Sequence, residues 1–407
     1  VRKRTRITQG IGDLKKSNRD LTTGDEDKAE TLANFFKSVF VPDPDTTIIM
    51  PLRCQQDRFI QDLIITRDMV LKKLKELKIH KSPGPDSVHP RVLKEASQSV
   101  ADALVHIYNA SIQQGKIPPA WKEAYISAIF KKGSRDSPGN YRPVSLTSIA
   151  CKILESIIRE YIMSHLATNN LLSDKQYGFV SGRSTILQLL TCMDHWTEAL
   201  DQGQDIDIIY CDFMKAFDRV PHKHLLTKIS SYGISGNLFL WLRDFLTNRR
   251  QCVRVNGKLS SWHPVTSGIP QGSVLGPLLF ILFINDLPDV IKFSHVYLFA
   301  DDLKIYKSLS SSSDSGNLQY DLNMAQSWSI TNHLFFHPDK CKSMHISLRN
   351  TDSHSYYMDG NLLEVSKEEK DLGVIIDSAL SFDSHIAQKV KKANSVLGII
   401  ARTILFK

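Results

Sequence analysis

Phe299-Ala300-Asp301-Asp302 carries two adjacent carboxylates between two short apolar runs, residues 296–299 and 303–306. This pattern predicts two strands joined by a tight turn. Asp-Asp is also common in ordinary turns, so a plain hairpin is one interpretation of the pair. At a strand tip, however, such carboxylates can hold a divalent metal ion, and burying them without a cation would cost several kcal/mol.

A third aspartate favours the metal interpretation. Asp212 follows a second apolar strand, predicted at residues 206–211 and far upstream of the aspartate pair. Nucleotidyl transfer requires two Mg²⁺ ions about 3.5–4 Å apart, held by shared carboxylates. Because Mg²⁺ also binds water and substrate phosphates, few protein ligands are enough. Asp218 is a fourth candidate, but its position after Phe217 at a predicted helix start favours a capping role.

The composition describes a globular protein of two or three subdomains, with 407 residues, 42% of them hydrophobic and 23% charged. The net charge of +8 indicates either a solvated surface or a polyanionic partner. The six cysteines show no C-x-x-C spacing, so neither a disulfide framework nor a zinc site is predicted. Reduced thiols predict an intracellular protein, with nucleus and cytoplasm both open.

No membrane partner is predicted. The longest apolar run, residues 274–284, is shorter than the roughly 18 residues that a spanning helix requires, and it contains Gly276 and Pro277. We expect it to form a buried core helix. The chain begins at Val1 and stops within a helical pattern, so we expect a fragment with further sequence at both ends.

Hydrophobic periodicity and turn residues predict a mixture of helices and strands. Helices are predicted at 26–40, 68–78, 90–114, 149–166, 222–232, 238–247 and 382–401. Strands are predicted at 124–130, 206–211, 344–348, 361–365 and 371–376, with a hairpin at 251–262 around Asn256-Gly257. The serine-rich segment 308–315 is expected to be a flexible loop. The fold class that follows is α+β.

Three further features suit nucleotide binding, although each has a structural alternative. Phe217 could lie beneath a bound sugar, or it could be a core aromatic residue. The loop 267–273, which contains Gln271 and Gly272, permits close approach of the backbone to a nucleotide or template, or it is an ordinary entry into the next helix. Lys131, Lys132 and Arg142 form a basic cluster on predicted loops, which suits either a triphosphate or a solvated face.

Several strings of the chain occur in the order known from one family. They are Lys81-Ser82-Pro83-Gly84-Pro85-Asp86, Gly139-Asn140-Tyr141-Arg142-Pro143-Val144-Ser145-Leu146, Tyr177-Gly178-Phe179, Gly182-Arg183-Ser184, Asp212-Phe213-Met214-Lys215-Ala216-Phe217-Asp218-Arg219-Val220-Pro221, Ser267-Gly268-Ile269-Pro270-Gln271-Gly272-Ser273-Val274-Leu275-Gly276-Pro277, Phe299-Ala300-Asp301-Asp302, Pro338-Asp339-Lys340 and Leu372-Gly373-Val374. Over about residues 20–400 the chain resembles the reverse transcriptases of non-LTR (LINE-type) retrotransposons of the jockey-like and chicken-repeat-like clades.

The resemblance implies a right-hand polymerase with fingers, palm and a partial thumb, and with an antiparallel palm sheet. Residues 1–66 would form an N-terminal linker and a docking helix, and residues 67–380 the fingers and palm. The palm core is expected at about 200–307 and 340–377, and the truncated start of the thumb at 381–407.

The resemblance also implies roles for individual residues. Those expected at the metal centre are Asp212, Asp301 and Asp302. Those expected to bind the nucleotide or template are Lys131 and Arg142 at the triphosphate, Phe217 as the gate that excludes ribonucleotides, Gln271 and Gly272 at the nucleotide and template, and Lys340 near the pyrophosphate. Leu372 and Gly373 would support the primer end.

The implied activity is RNA-directed DNA polymerisation, in which dNTPs are added to the 3′-OH of a DNA primer on an RNA template. Two Mg²⁺ ions are the implied cofactors, with Mn²⁺ as a possible substitute, and the RNA of the element is an implied partner. Relatives carry an endonuclease domain that we do not expect within this chain. Val180, Met214 and His337 depart from the residues that relatives commonly carry, and Val180 puts one template contact in doubt.

Other functions remain open at this stage. One is an intron-maturase-type reverse transcriptase, and another is a viral RNA-dependent RNA polymerase, although the latter favours Gly-Asp-Asp at the turn. A third is a polymerase relic that binds nucleic acid without catalysis. The intact Asp212, Asp301 and Asp302 argue against loss of the centre.

Overall fold

The computed structural model describes residues 10–60, 62–349 and 351–404. Its α-helices are α1 Asp25–Ser38, α2 Arg67–Lys75, α3 Pro90–Glu95, α4 Ser97–Gln114, α5 Ile149–Thr168, α6 Thr185–Asp201, α7 Ala216–Arg219, α8 His222–Ser231, α9 Gly236–Leu246, α10 Gly276–Ile284, α11 Asp314–Thr331 and α12 Asp383–Ile404. Its strands are β1 Glu123–Phe130, β2 Tyr141–Leu146, β3 Asp205–Cys211, β4 Arg249–Val255, β5 Lys258–Leu259, β6 His263–Val265, β7 His295–Phe299, β8 Asp302–Leu309, β9 Lys342–Ile346, β10 Tyr357–Met358, β11 Asn361–Leu362, β12 Glu364–Val365, β13 Glu368–Asp371 and β14 Val374–Asp377. The α+β class is confirmed.

The chain divides into two compact units, each built from separate stretches of sequence. The first unit comprises Val1–Leu172, Lys215–Ile284 and Asn332–Leu334. The second unit comprises Ser173–Met214, Asn285–Thr331 and Phe335–Lys407. Part of the predicted N-terminal linker, residues 1–9, lies outside the described residues.

The first unit contains a sheet in the order β2-β1-β4-β5, with β6 also paired to β4. Strands β1 and β2 are antiparallel, whereas β1 and β4 are parallel. Helix α1 buries Leu32 and Phe36 in the same core cluster as Ile126 of β1 and Val253 of β4. Each such side chain contributes about 1.5–3 kcal/mol through burial, so α1 is an integral part of this unit.

The second unit contains a sheet in the order β12-β9-β3-β8-β7. Its neighbouring strands are antiparallel except at the edge, where β12 and β9 are parallel. Helix α6 covers one face, where Trp196 meets Tyr306 of β8 edge-on at a centroid distance of 5.6 Å. In this sheet the central strand β3 lies between β8 and β9.

The core helix and the hairpin predicted from the sequence are both present. Helix α10 is buried along nearly its whole length, because almost every residue in it is apolar. Asn256 and Gly257 both have positive φ, 47° and 89°, as a type I′ turn requires. No helix in the described part of the chain is long and apolar enough to span a membrane.

The prediction of a flexible loop at 308–315 was wrong. Strand β8 continues to Leu309, and α11 begins at Asp314. The backbone N–H groups of Ser310 and Ser311 donate to the Asp314 carboxylate at 2.9 and 2.7 Å. Serine therefore serves here as a partner in a helix-entry turn, a role that composition alone does not distinguish from a linker.

The strand predicted at 361–365 is divided into β11 and β12, which pair with different strands. Two other predicted elements are divided by a change in backbone direction. The strand predicted at 371–376 is a hairpin of β13 and β14, because Leu372 and Gly373 adopt positive φ of 47° and 96° and reverse the chain. The helix predicted at 90–114 is two helices, α3 and α4, separated at Ala96. In both cases the apolar pattern continues through a change in backbone direction.

A buried carboxylate ties the segment after β9 to the central strand. Asp207 of β3 is 1% exposed and accepts hydrogen bonds from the Tyr356 hydroxyl at 2.5 Å and from the rings of His345 and His354 at 2.6 and 3.0 Å. The hydrogen bond to Asp207 raises the pKa of His345, and the negative charges of Asp207 and Asp205 add to that effect.

Replacing His345 with Gln should destabilise the fold in a pH-dependent manner. Because the pKa of His345 is raised on folding, its stabilising contribution is complete below about pH 6.5 and is lost as the pH rises through the folded-state value. We expect His345→Gln to lower the free energy of unfolding, measured in urea, by about 1.5–3 kcal/mol at pH 5.5 and by clearly less at pH 9. His106→Gln, at an exposed site on α4, is the control; a loss in His345→Gln that is the same at both pH values would contradict the assignment.

Candidate active site

The aspartate pair lies at the tip of the β7–β8 hairpin. Phe299 pairs with Asp302, so Ala300 and Asp301 form a two-residue turn in which Ala300 has a φ of 56°. Ala300 is buried, whereas Asp301 and Asp302 reach solvent. The predicted hairpin is confirmed.

A buried glutamine and a glycine hold this turn in place. The Gln176 Oε1 atom accepts the backbone N–H groups of Ala300 at 3.0 Å and of Gly178 at 2.7 Å, and Gln176 is fully buried. A Cβ on Gly178 would lie 2.4 Å from the Ala300 nitrogen, so only glycine fits against the turn. Sequence reasoning missed Gln176; the one signal for it was its position directly before the string Tyr177-Gly178-Phe179.

Asp212 lies one residue beyond the end of β3, and its backbone is fixed on both sides. Its carbonyl accepts the His337 N–H at 2.8 Å, and its own N–H donates to the Cys341 sulfur at 3.4 Å. The next residue, Phe213, stacks on Phe336 with a centroid distance of 4.3 Å. These contacts set the direction in which the Asp212 carboxylate leaves the strand.

Strand register brings the three predicted aspartates together. Cys211 is opposite Leu303 in the antiparallel pair of β3 and β8. Continuing this register by one residue places Asp212 opposite Asp302, on the same face of the sheet. Loss of hydration, followed by the negative charges of Asp301 and Asp212, raises the pKa of Asp302 to about 6. The side chain still reaches solvent, so the site is acidic and open.

A lysine forms an ion pair with Asp212. The Lys340 Nζ atom lies 3.0 Å from Asp212 Oδ2, and both side chains are substantially exposed. Among the residues that the structure describes, no three His, Cys, Asp or Glu side chains form a ready-made metal site. Mg²⁺ is nevertheless commonly held by one or two carboxylates, water and substrate phosphates. Mutually repelling carboxylates, one of which already pairs with an ammonium group, fit such a cation.

A second ion pair lies in the protein interior close to Asp302. Lys304 of β8 and Asp371 of β13 form a buried pair, with side chains 4% and 7% exposed. Of the charges near Asp302, Asp371 raises its pKa and Lys304 lowers it. The pair also joins β8 to the hairpin whose tip is Leu372 and Gly373. It therefore places the predicted primer-supporting residues relative to Asp302 within the second unit.

The predicted nucleotide-binding residues of the first unit form a linked chain of polar groups. Arg142 Nε donates to Gln271 Oε1 at 2.9 Å, and Gln271 Nε2 donates to Asp218 Oδ1 at 2.6 Å. Arg142 is exposed on strand β2 and not on a loop, which corrects the predicted location. Lys131 is exposed directly after β1, and its N–H donates to the carbonyl of Asn140 at 2.8 Å.

The capping role predicted for Asp218 was wrong. Asp218 lies inside the short helix α7, whose N-cap is Lys215 in a left-handed conformation. Its carboxylate binds Gln271 and not the first backbone N–H groups of the helix. The position of Asp218 near a predicted helix start therefore suggested the wrong hydrogen-bond partner for its carboxylate.

Gly268 and Gly272 let the loop 267–273 pass between two other segments. They have φ of 79° and 117°, and a Cβ at either would lie 2.5 Å from a backbone oxygen, that of Asp218 or of Ser145 respectively. The Ser145 N–H also donates to the Gln271 carbonyl at 2.6 Å. The loop thus contacts α7 through Gly268 and β2 through Gly272, on either side of Gln271.

Phe217 rests on the core of the first unit. Its ring stacks on that of the fully buried Phe280 with a centroid distance of 4.3 Å and an interplanar angle of 21°. It remains partly exposed. The core and gate interpretations are therefore compatible, because one face of the ring can pack while its edge borders solvent.

Comparison with known families identifies the domain. The family described as Reverse transcriptase (RNA-dependent DNA polymerase) matches residues 129–392, which contain all three aspartates and the loop 267–273. The chain belongs to the reverse transcriptase family. This result confirms the resemblance found from the ordered strings.

Curated relatives are proteins of mobile elements. The chain is 30% identical over 341 residues to the probable RNA-directed DNA polymerase from transposon BS of Drosophila melanogaster, covering 79% of this chain and 37% of the relative. It is 29% identical over 331 residues to the RNA-directed DNA polymerase from mobile element jockey of Drosophila melanogaster, covering 79% and 36%. The jockey protein of Drosophila funebris is 29% identical over 375 residues, covering 88% and 41%. The chain thus matches about two fifths of each relative's length.

Replacing Gly178 with Ala should displace the aspartate turn. The new Cβ would lie 2.4 Å from the Ala300 nitrogen, and such overpacking costs about 1–3 kcal/mol. We expect lower stability in urea and faster hydrogen exchange at the Ala300 amide. Gly316→Ala is the matched control, because nothing lies within 4 Å of its Cβ position in α11. Equal behaviour of the two variants would show that Gly178 does not constrain the turn.

Proposed function

We propose that this chain is an RNA-directed DNA polymerase that adds dNTPs to the 3′-OH of a DNA primer on an RNA template by two-metal nucleotidyl transfer. The main support for this proposal is the cluster of Asp212, Asp301 and Asp302 at the ends of adjacent strands within a reverse transcriptase domain. The names of the relatives support the same activity. RNA of the mobile element is the proposed template.

We also propose an assignment of the palm, fingers and thumb of a right-hand polymerase. The sheet of the second unit, with β3 at its centre and the β7–β8 hairpin at one side, would be the palm. The first unit would contain the fingers. Helix α12 would begin the thumb, and its exposed Lys389, Lys391 and Lys392 suit contacts with nucleic-acid phosphates.

Asp212, Asp301 and Asp302 would hold the Mg²⁺ ions, for which Mn²⁺ can substitute. When bound, these ions activate the primer hydroxyl and neutralise charge on the leaving oxygens. Asp212 and Asp301 would be the principal ligands and Asp302 a supporting one. Lys340, which pairs with Asp212 at 3.0 Å, would bind the pyrophosphate when a cation takes its place at the carboxylate.

The remaining residues would bind and select the substrates. Arg142 and Lys131 would hold the triphosphate, since guanidinium and ammonium groups form strong charge-assisted hydrogen bonds to phosphate. Gln271 and Gly272 would contact the nucleotide and template. Phe217 would border the sugar and exclude a 2′-hydroxyl. Leu372 and Gly373, at the tip of the β13–β14 hairpin, would support the primer end.

Replacing Asp301 with Asn should abolish primer extension while preserving the fold. The change removes a charged metal ligand and keeps the shape of the turn, so several kcal/mol of transition-state stabilisation disappears. We expect the rate on an RNA template with dNTPs and Mg²⁺ to fall by more than about a hundredfold, and Asp212→Ala to behave alike.

Asp339→Asn is the control for this experiment, because its carboxylate is 93% exposed beside Lys340 and should be dispensable. Retention of the parent rate by Asp301→Asn would refute the assignment of the metal centre.

Replacing Phe217 with Ala should admit ribonucleotides by removing the clash with the 2′-hydroxyl. We expect kcat/KM for NTPs to rise by at least about tenfold, with a smaller loss for dNTPs. Phe217→Tyr keeps the ring and should keep the discrimination. If Phe217→Ala remains folded by its melting curve and still discriminates like the parent, Phe217 is only a core residue.

A further inference from the structure

Asp218 is a carboxylate of the first unit to which the family resemblance assigned no role. It is joined to Arg142 through a single side chain, Gln271, by hydrogen bonds of 2.6 and 2.9 Å. We propose that Asp218 is a positioning residue that orients the Gln271 amide and thereby fixes the Arg142 guanidinium for a phosphate group. This inference rests on the proposed nucleotide-binding role of Arg142.

The chemistry of the two ends allows only one orientation of the amide between them. An ionised carboxylate only accepts hydrogen bonds, and a guanidinium only donates them. Gln271 must therefore turn its NH₂ group toward Asp218 and its carbonyl oxygen toward Arg142. The reversed amide would place oxygen against carboxylate and NH₂ against guanidinium, which loses both hydrogen bonds.

The hydrogen bond from Gln271 also determines which part of Arg142 can meet a ligand. Arg142 donates to Gln271 through Nε. Its two terminal nitrogens form the opposite edge of the planar group and suit bidentate contact with phosphate oxygens. Without Gln271 at Nε, the exposed side chain would sample other rotamers, and holding it in one would cost conformational entropy.

Asp218 is firmly held and can serve as the fixed end of this chain. Its carbonyl accepts the Ser267 hydroxyl at 2.9 Å, and its N–H donates to the Lys215 carbonyl at 2.9 Å. Gly268 packs against its backbone with no space for a Cβ. The backbone of Asp218 is therefore fixed against the loop that carries Gln271.

The local charges agree with this role. Burial raises the pKa of Asp218, and the hydrogen bond from Gln271 opposes that, followed by the positive charges of Lys215, Lys131 and Arg142. The negative charge of Asp218 reduces the repulsion among Lys215, Lys131 and Arg142. Asp218 thus lies close enough to the cations proposed to meet a triphosphate for their charges to lower its pKa.

A double-mutant cycle in phosphate binding tests the inference without requiring polymerase activity. The probe is inorganic tripolyphosphate, titrated calorimetrically into the parent, Asp218→Ala, Arg142→Ala and the double variant. We expect each single variant to weaken binding about tenfold. Because Asp218 acts through Arg142, adding Asp218→Ala to Arg142→Ala should cause almost no further loss.

Two further variants separate positioning from folding. Asp218→Asn should recover most of the affinity, since its oxygen still accepts from Gln271. Asp244→Ala removes another carboxylate of the first unit, which binds Lys122 and the Ile117 N–H; it should lower the melting temperature and leave tripolyphosphate binding unchanged.

Primer extension then separates the inference from the proposed function. In an active parent, Asp218→Ala should raise KM for dNTPs about tenfold with a smaller change in kcat. Additive losses in the cycle, or parent-like binding in Asp218→Ala, would overturn the positioning role. A cycle that behaves as expected in a chain that extends no primer would support the role and refute only the polymerase proposal.

Discussion

Repulsion among three carboxylates is the constraint on which the second unit depends. Asp212, Asp301 and Asp302 are gathered where β3 ends and β7 turns into β8. Loss of hydration raises the pKa of Asp302 to about 6, and the negative charges of Asp301 and Asp212 add to that effect. Such a cluster is unfavourable unless the surrounding backbone is rigid and a cation is at hand. The contacts around it supply both conditions. Gln176 and Gly178 fix the turn, the segment 337–341 fixes Asp212, and Lys340 provides an ammonium group.

The support for this site extends deeper than the residues that would touch a ligand. The Lys304–Asp371 pair is buried beside Asp302 and joins its strand to the β13–β14 hairpin. Removing one partner would leave an uncompensated buried charge, at a cost of about 3–5 kcal/mol. The same pair thus stabilises the hairpin and adjusts the field at Asp302. In the first unit, Asp218 has a comparable place behind Gln271 and Arg142.

The sequence predicted best those features that local pattern determines. Asp212 and the Asp301–Asp302 pair stand directly after apolar strands, and α10 is continuously apolar, so their positions were predictable. The ordered strings predicted the family, which the match over residues 129–392 confirms. The α+β class followed from mixed periodicities, whereas the right-hand subdivision and the individual site roles remain proposals.

Features that depend on partners distant in sequence were not predictable. Gln176 is polar but fully buried, and its side chain accepts a hydrogen bond from the Ala300 amide of the turn. Because Ala300 lies far along the chain, the sequence around Gln176 does not reveal this partner. Asp218 resembled a cap because its partner, Gln271, is distant as well. The hairpin at Leu372 was predicted as one strand, since a leucine with positive φ gives no local signal of a turn. Tertiary contacts decided the first two cases, whereas the third is a local turn at Leu372 and Gly373.

We propose above that Asp212, Asp301 and Asp302 form a two-metal centre. Anomalous X-ray diffraction from Mn²⁺-containing crystals of the chain, bound to a primer–template with a dideoxy-terminated primer and the next dNTP, tests it most directly. We expect two Mn²⁺ peaks about 3.5–4 Å apart, with Asp212 and Asp301 as shared ligands. Mn²⁺ bound elsewhere, or a bound dNTP without metal at these carboxylates, would contradict it.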